Sequence, residues 1–509
     1  MRNGTRDLLS KILSYSLCIF FVYYIVVYII VVFFRIQYPF ELEWMEGGSV
    51  EHVLRILSGK KIYVSPSLEF VPYLYPPLYY YVSALLSKMI GVGFFPLRVI
   101  SFTSSLLCFI LISLFVRRET GNLFAGLAAS GLFAAVFKVS EAWYDIARVD
   151  SLFLFLLLLS VYLLKFRKEA KFHLLAGFLL GLSFLTKQTA LFISLPLCVY
   201  FIWSLKSRSF YFFVTLLLTM AGASIFLNYI HDGWYNFYVF DLPRVMFAER
   251  LVVDNFLGFW LNDLLFTLPV ALIMSILYLI SQLRDSGYKN FLFYSLFAVG
   301  MTGASFLPRL QIGSAANVLM PVYAVISILF GLAVHTFVRL YQGKSGTKTS
   351  LIVIGIYSVS ILQLGCLLYD PVDQVPTRRD LEAGKRLTSI VSGIEGDILF
   401  PFHGFIGEVF REDDRQSRVL DVVCPMSVIN ILGYIDPKLK YDLTLEIKRA
   451  IREKRFSAVI LDKYWFQKDI EEHYRIERRI FTDNDVFWPV TGWQTRPEVI
   501  YIPRSKTGE

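Results

Sequence analysis

The sequence predicts a multi-pass α-helical membrane protein that ends in a small α/β domain. Three observations carry that expectation. Of 509 residues, 56% are hydrophobic and only 18% charged, with a mean hydropathy of +0.55. Soluble domains carry about 25% charged residues. Apolar runs long enough to span a bilayer recur through the first three quarters of the chain. From residue 370 onward the composition shifts, and charges become frequent, as in "PTRRDLEAGKRL" and "EIKRAIREKR".

The first run, Ile12 to Phe34, is too long for a signal-peptide core and has no small-residue cleavage site, so it reads as a retained helix. Ten further runs follow, near 97–116, 122–137, 151–164, 173–186, 189–204, 210–229, 263–282, 290–306, 318–338 and 350–369. The total is about eleven spans. The net charge of +9 does not point to nucleic acid, because Lys and Arg sit in short loops between apolar runs. "KFRKEAK" (165–171), "KSRS" (206–209), "RDSGYK" (284–289) and "RLYQGKSGTK" (339–348) are such loops, as are Arg2, Arg6 and Lys11 before the first run and Arg117–Arg118. Placing all of them in the cytoplasm gives a consistent alternation, provided that Pro77–Ile90 forms a juxtamembrane or re-entrant helix that does not cross. The long, aromatic, carboxylate-bearing loops then face outward, together with the tail. Two domains result: a membrane domain over 1–369 and an extracytoplasmic domain over 370–509. In the tail, a helical stretch precedes "GDILFPFHG", and Leu443–Lys454 precedes "FSAVILD", a repeated helix–strand order typical of α/β folds. The tail has neither G-x-G-x-x-G nor a P-loop. Five scattered cysteines (Cys18, Cys108, Cys198, Cys366, Cys424) offer neither a disulfide framework nor a metal pattern.

The outer loops carry the candidate chemistry. "FELEWMEGG" places Glu41, Glu43 and Glu46 at a membrane edge. Glu43 and Glu46 share a helix face, and Val50, Val53, Leu54 and Leu57 continue at helical spacing up to Gly59, as an interfacial helix would. Both glutamates fit two readings, a solvated flanking charge or a functional carboxylate; Glu41 reads as solvated. In "YDIARVDSLFLF", Asp150 stands almost inside a span, beside Arg148. A charge at that depth is costly and calls for a cavity or a partner. The partner would be Arg148, or Asp150 would cap the helix. Lys187 in "LTKQTAL" is a lone outer cation, which calls for an anion. "LPRLQIGSAANVLMP" supplies Arg309 and Asn317. "HDGWYNFYVFDLPRVMFAER" supplies Arg244 among aromatics that read first as an interface belt. Carboxylates, isolated cations and greasy grooves together suit transfer of a sugar from a membrane-anchored polyprenyl phosphate to a hydroxyl. A carboxylate takes the acceptor proton, and cations stabilise the leaving phosphate.

In order and spacing, "ELEWMEGGSVEHVLRILSGKKIY…YLYPPLYYYVSALL", "ARVDSLFLF", "LTKQTAL" and "GSAANVLMP" resemble the loop motifs of the GT-C superfold of polyprenyl-phosphate-sugar-dependent glycosyltransferases. The branch is that of protein O-mannosyltransferases and lipid A aminoarabinose transferases, glycosyltransferase family 39-like. The resemblance spans roughly residues 12–340. It implies an inverting transferase whose first-loop acid, matching Glu46 or second Glu43, is the base, and whose second-loop acid matches Asp150. Where relatives often carry a phosphate-contacting Lys before Pro-Pro, this chain has Tyr75. Lys187, Arg309 or Arg244 would then compensate, and Arg148, Tyr75 and Asn317 are the further candidates for donor binding. The expected partners are a polyprenyl-phosphate sugar donor, a glycan, lipid or protein acceptor, and membrane lipid. The expected place is a bacterial or archaeal cell membrane. Glu43 and Asp150 with a phosphate would suit Mg²⁺, Mn²⁺ or Ca²⁺, although no ligand spacing demands a metal. The rival readings are a lipid-linked saccharide flippase or transporter, and a glycan polymerase or ligase. A transporter would place its ionisable residues in mid-span, whereas this chain places them at outer span ends.

Overall fold

The computed structural model describes residues 3–205, 209–249, 252–285, 288–311, 313–341, 347–401, 403, 419–420, 432–462 and 466–504. Cys424 and parts of the basic loops at 206–209, 284–289 and 339–348 lie outside these residues.

Each of the eleven apolar runs falls on a helix. In chain order the helices are α1 (Asn3–Arg35), α2 (Glu46–Leu57), α3 (Leu78–Ile90), α4 (Phe94–Thr120), α5 (Leu123–Ala135), α6 (Asp150–Phe166), α7 (Ala170–Thr186) and α8 (Ala190–Leu205). Then come α9 (Ser209–Leu217), running through a π segment into α10 (Ala223–Ile230), the short α11 (Trp234–Asn236), α12 (Leu242–Glu249) and α13 (Val253–Gly258). The set closes with α14 (Pro269–Asp285), α15 (Tyr288–Arg309), α16 (Met320–Tyr341) and α17 (Thr347–Gly365). By length and composition, six of the described helices are long and apolar enough to cross a membrane, or seven with one bent pair; three others are apolar but shorter. The bent pair corrects the expected run at 263–282. Val253–Phe266 meets α14 at 93°, because Pro269 has no N–H to continue the earlier helix and is suited to start a new one.

Burial separates the centre from the lipid side. The apolar window of Ala316–Tyr341 is 94% buried, whereas that of Phe210–Ile230 is 17% buried. Small residues let helices close on one another. On α7, Gly177 and Gly181 lie one turn apart, and a Cβ at either would strike Thr215, Phe212 or Thr219 on the facing helix. Gly331 of α16 sits equally close to Ala125 and Ala129 of α5.

The segments after the first span begin as expected. α2 ends near Gly59, whose φ is +69°, and α3 has 13 residues, too few to span about 30 Å at 1.5 Å each. The aromatic stretch after residue 231 differs from the expected belt. Tyr235 and Tyr238 are fully buried and pack edge-on or tilted against Tyr63. Two bidentate ion pairs, all four side chains buried, tie these loops to the helices. Arg35 holds Asp145 (Nε–Oδ2 2.8 Å, Nη2–Oδ1 2.5 Å), and Arg98 holds Glu46 (2.9 and 2.6 Å).

After α17 come α18 (Arg378–Ser392), α19 (Pro437–Arg452) and α20 (Gln467–His473), with five strands: β1 (Ile398–Leu399), β2 (Val419–Leu420), β3 (Ala458–Leu461), β4 (Tyr474–Arg479) and β5 (Val499–Pro503). A Thr377–Asp380 capping box starts α18, and Asp436 caps α19 ahead of Pro437. The sheet order is β2-β1-β3-β5-β4. β1 pairs in parallel with β2 and β3, and β5 runs antiparallel between β3 and β4. This is the mixed α/β tail the composition led us to expect.

Candidate active site

The first loop delivers three carboxylates, and the structure treats each differently. Glu46 opens α2, yet its carboxylate points back across the loop. It accepts from Arg98 Nε and Nη2, from the Leu42 N–H (2.7 Å) and from the Ala147 N–H (2.6 Å). Burial alone would raise its pKa, but the Arg98 charge and these hydrogen bonds outweigh burial and hold it below the ordinary carboxylate value. A carboxylate so occupied is a poor proton acceptor. Its bonds from Arg98 and Ala147 fasten the first loop to α4 and to the second loop, and the bond from Leu42 closes the first loop on itself.

Glu43 is equally buried, but only one of its oxygens is engaged: Oε2 accepts from the Met45 N–H at 3.1 Å, and Oε1 accepts no hydrogen bond from a described residue. Burial pushes the acid up to about 8, with Glu46 and Glu41 adding to the rise and the Arg148 charge opposing it. Glu41 is not solvated as expected. It is buried, with Oε2 2.6 Å from His403 Nδ1 in the tail. Burial raises the Glu41 carboxyl well above its usual range and lowers His403 to about 4.

The second loop supplies Arg148. Its guanidinium is buried between the Tyr75 and Trp143 rings, each centroid 5.2 Å away, and Nη2 donates to the Tyr75 hydroxyl at 2.9 Å. Nε and Nη1 have no described partner. Tyr75, Glu43 and Asp150 all act on its charge, outweighing burial and raising its pKa. Tyr75, which stands where the resemblance led us to expect Lys, thus holds an arginine instead.

Asp150 begins α6 without capping it. Its Oδ1 accepts from Lys187 Nζ (2.6 Å) and Asn317 Nδ2 (3.0 Å), while Oδ2 is buried with no described partner. Lys187 thus finds its anion in Asp150 rather than leaving Asp150 to Arg148. Three motifs, on the second loop, after α7 and before α16, meet in this triad.

Two candidates share no hydrogen bond or ion pair with this cluster among the described residues. Arg309 is held by Asp263 (Nε–Oδ2 2.7 Å, Nη2–Oδ1 3.2 Å) and by the Ser314 carbonyl (2.8 Å). Arg244 is exposed on α12 and forms no ion pair with a described residue. Glu43 and Asp150 are the two carboxylates named for a possible divalent cation. Arg148 acts on both of them, and among the described residues no three His, Cys, Asp or Glu side chains gather as metal ligands.

The sequence reading missed Arg98, Arg35–Asp145 and the tail. Arg98 had left a signal: an arginine near the start of an apolar helix needs a carboxylate. The tail left none, yet it forms one wall. Thr491 N–H donates to the Leu42 carbonyl at 3.1 Å, Gly492 lies against Glu43, and Trp493 meets Trp44 edge-on at 5.7 Å.

Comparison with known proteins agrees with this architecture. Residues 75–229 match the family model described as dolichyl-phosphate-mannose-protein mannosyltransferase. No curated protein matches the sequence. The chain is similar in structure to ArnT from Cupriavidus metallidurans bound to undecaprenyl phosphate, with a TM-score of 0.60, 12% identity, and 94% of this chain and 97% of that chain covered. It is also similar to the archaeal oligosaccharyltransferase AglB from Archaeoglobus fulgidus in complex with an inhibitory peptide and a dolichol-phosphate. There the TM-score is 0.56 at 11% identity, covering 88% of this chain and 69% of that one. The chain has the GT-C fold, as the order of its loop motifs leads one to expect.

Proposed function

We propose that the protein is an integral-membrane glycosyltransferase. It moves a sugar from a polyprenyl-phosphate donor to an acceptor hydroxyl on the extracytoplasmic face, with Glu43 as general base. One observation carries this reading. Glu43 Oε1, Arg148 Nε and Nη1, and Asp150 Oδ2 are buried polar atoms without described partners, and Glu43 and Asp150 both lie close enough to act on the Arg148 charge. Each such atom costs about 1–3 kcal/mol if left unmet, so together they favour a polar ligand.

In this reading Arg148, steadied by Tyr75, and Lys187, steadied by Asp150, which Asn317 also holds, receive the donor phosphate. Glu43 takes the proton from the acceptor hydroxyl as its oxygen bonds to the anomeric carbon. The bond from that carbon to the phosphate oxygen breaks, and its electron pair leaves with the polyprenyl phosphate. Direct displacement inverts the configuration. An acid near 8 suits this work, since a base is most effective when its pKa lies close to the working pH. The base must be ionised, so transfer rises as pH climbs through about 8. Residues 1–369 form the catalytic membrane domain, and 370–509 an extracytoplasmic module over it. The match to a mannosyltransferase model and the likeness to a structure holding undecaprenyl phosphate support this class of donor.

The test is transfer by purified protein in lipid nanodiscs from a panel of undecaprenyl- and dolichyl-phosphate sugars. Glu43→Gln is expected to lower the rate by about 100-fold or more with donor KM unchanged. Full activity in Glu43→Gln would place the base elsewhere.

A further inference from the structure

The tail touches the first loop all along the segment that carries the carboxylates. Phe487 packs edge-on against Phe40 at 5.2 Å, and Gly384 closes on the same ring. His403 pairs with Glu41, Thr491 bonds Leu42, and Trp493 meets Trp44. Val490 joins a buried cluster made by Leu42 of the first loop and Trp143 and Ile146 of the second. At the centre of this seam is Gly492. Its φ of +74° is one that side chains rarely adopt, and a Cβ there would stand 2.8 Å from Glu43 Cγ and 3.1 Å from Oε1. No real Cβ sits that close to a carbon, so only glycine lets the turn lie on the carboxylate.

We propose that Gly492 is a positioning residue for Glu43, so that the C-terminal part completes the active site rather than merely covering it. The inference rests on the reading of Glu43 as the base. The turn does two things at once. It fixes where Oε1 lies, which matters because small misplacements of a reacting group are costly in rate. It also helps keep water off the carboxyl. The charged groups acting on Glu43 are Arg148 of the second loop and Glu46 and Glu41 of the first. No charged side chain of the tail is among them, so the turn acts through contact and exclusion of water.

The experiment reads Glu43 itself and needs no substrate. Infrared pH titration of the protein in nanodiscs follows the protonated carboxyl band that disappears in Glu43→Gln. In the wild type its midpoint is expected near 8. In Gly492→Ala, an added Cβ lifts the turn and admits water, or drives the carboxyl towards Arg148. Either consequence lowers the midpoint, by about one pH unit or more. Gly59→Ala is the control for backbone strain, since Gly59 has a φ of +69° and an added methyl there would meet nothing within 4 Å; it should leave the midpoint unchanged. An unshifted midpoint in folded Gly492→Ala, or equal shifts in both variants, overturns the proposal. The transfer assay then separates the two claims. If Glu43→Gln is fully active, the base assignment fails; if it is inactive while Gly492→Ala is unaltered in rate and midpoint, only the positioning role fails. Where both hold, Gly492→Ala slows transfer at least about tenfold but adds nothing in the Glu43→Gln background.

Discussion

Glu43 and Glu46 stand three positions apart and are both buried, yet only one is spoken for. Arg98, two backbone N–H groups and a lowered pKa make Glu46 a fastening, whereas Glu43 keeps an unmet oxygen and a raised pKa. The two should therefore fail differently. Removing one partner of a buried ion pair leaves the other charge unmet and costs about 3–5 kcal/mol. Arg98→Ala is accordingly expected to lose folded, monodisperse protein and thermal stability, whereas Glu43→Gln should keep both; normal melting of Arg98→Ala would remove the fastening role. The sequence showed that acids gather here but not which is free, because that depends on an arginine 52 residues further on. The need of Lys187 for an anion was legible for a simpler reason, although Asp150 was not read as that anion. A lone charge beside apolar runs requires a partner, and few were on offer.

At the scale of elements, period and length were the readable quantities. The apolar runs mark helices, and the short Pro-Pro-led segment marks α3. The break before α14 was hidden because the apolar run continues across Pro269, and only the 93° bend exposes it. Close packing was hidden as well, since a glycine in a helix shows its purpose only when its neighbour is known. Gly177 and Gly181 place α7 directly against the facing helix. Gly181→Leu should force the two apart and lower the melting temperature in detergent, whereas the same change at Gly222, with nothing within 4 Å, should be mild. Equal effects at both positions would argue against tight packing at α7.

Across the whole molecule, the sides of the membrane and the docking of the tail are linked. If the loops that carry Glu43, Arg148 and Lys187 face outward, the tail that touches them must do so too. A reporter fused after Asp370 is therefore expected to signal from the extracytoplasmic side, and a cytoplasmic signal would break the assignment of sides. The α/β character of the tail could be read from its helix–strand order. Its place against Glu43 could not, because contacts such as Gly492 on Glu43 and His403 on Glu41 join distant parts of the chain with no shared pattern.

The central claim is that one buried cluster both receives a lipid phosphate and holds the base. Its most direct test is an experimental structure with undecaprenyl phosphate bound. The phosphate is expected within hydrogen-bond reach of the Arg148 guanidinium and Lys187 Nζ, with Glu43 Oε1 facing the side from which an acceptor would arrive. A phosphate seated on Arg309 or Arg244, away from Glu43, would contradict it.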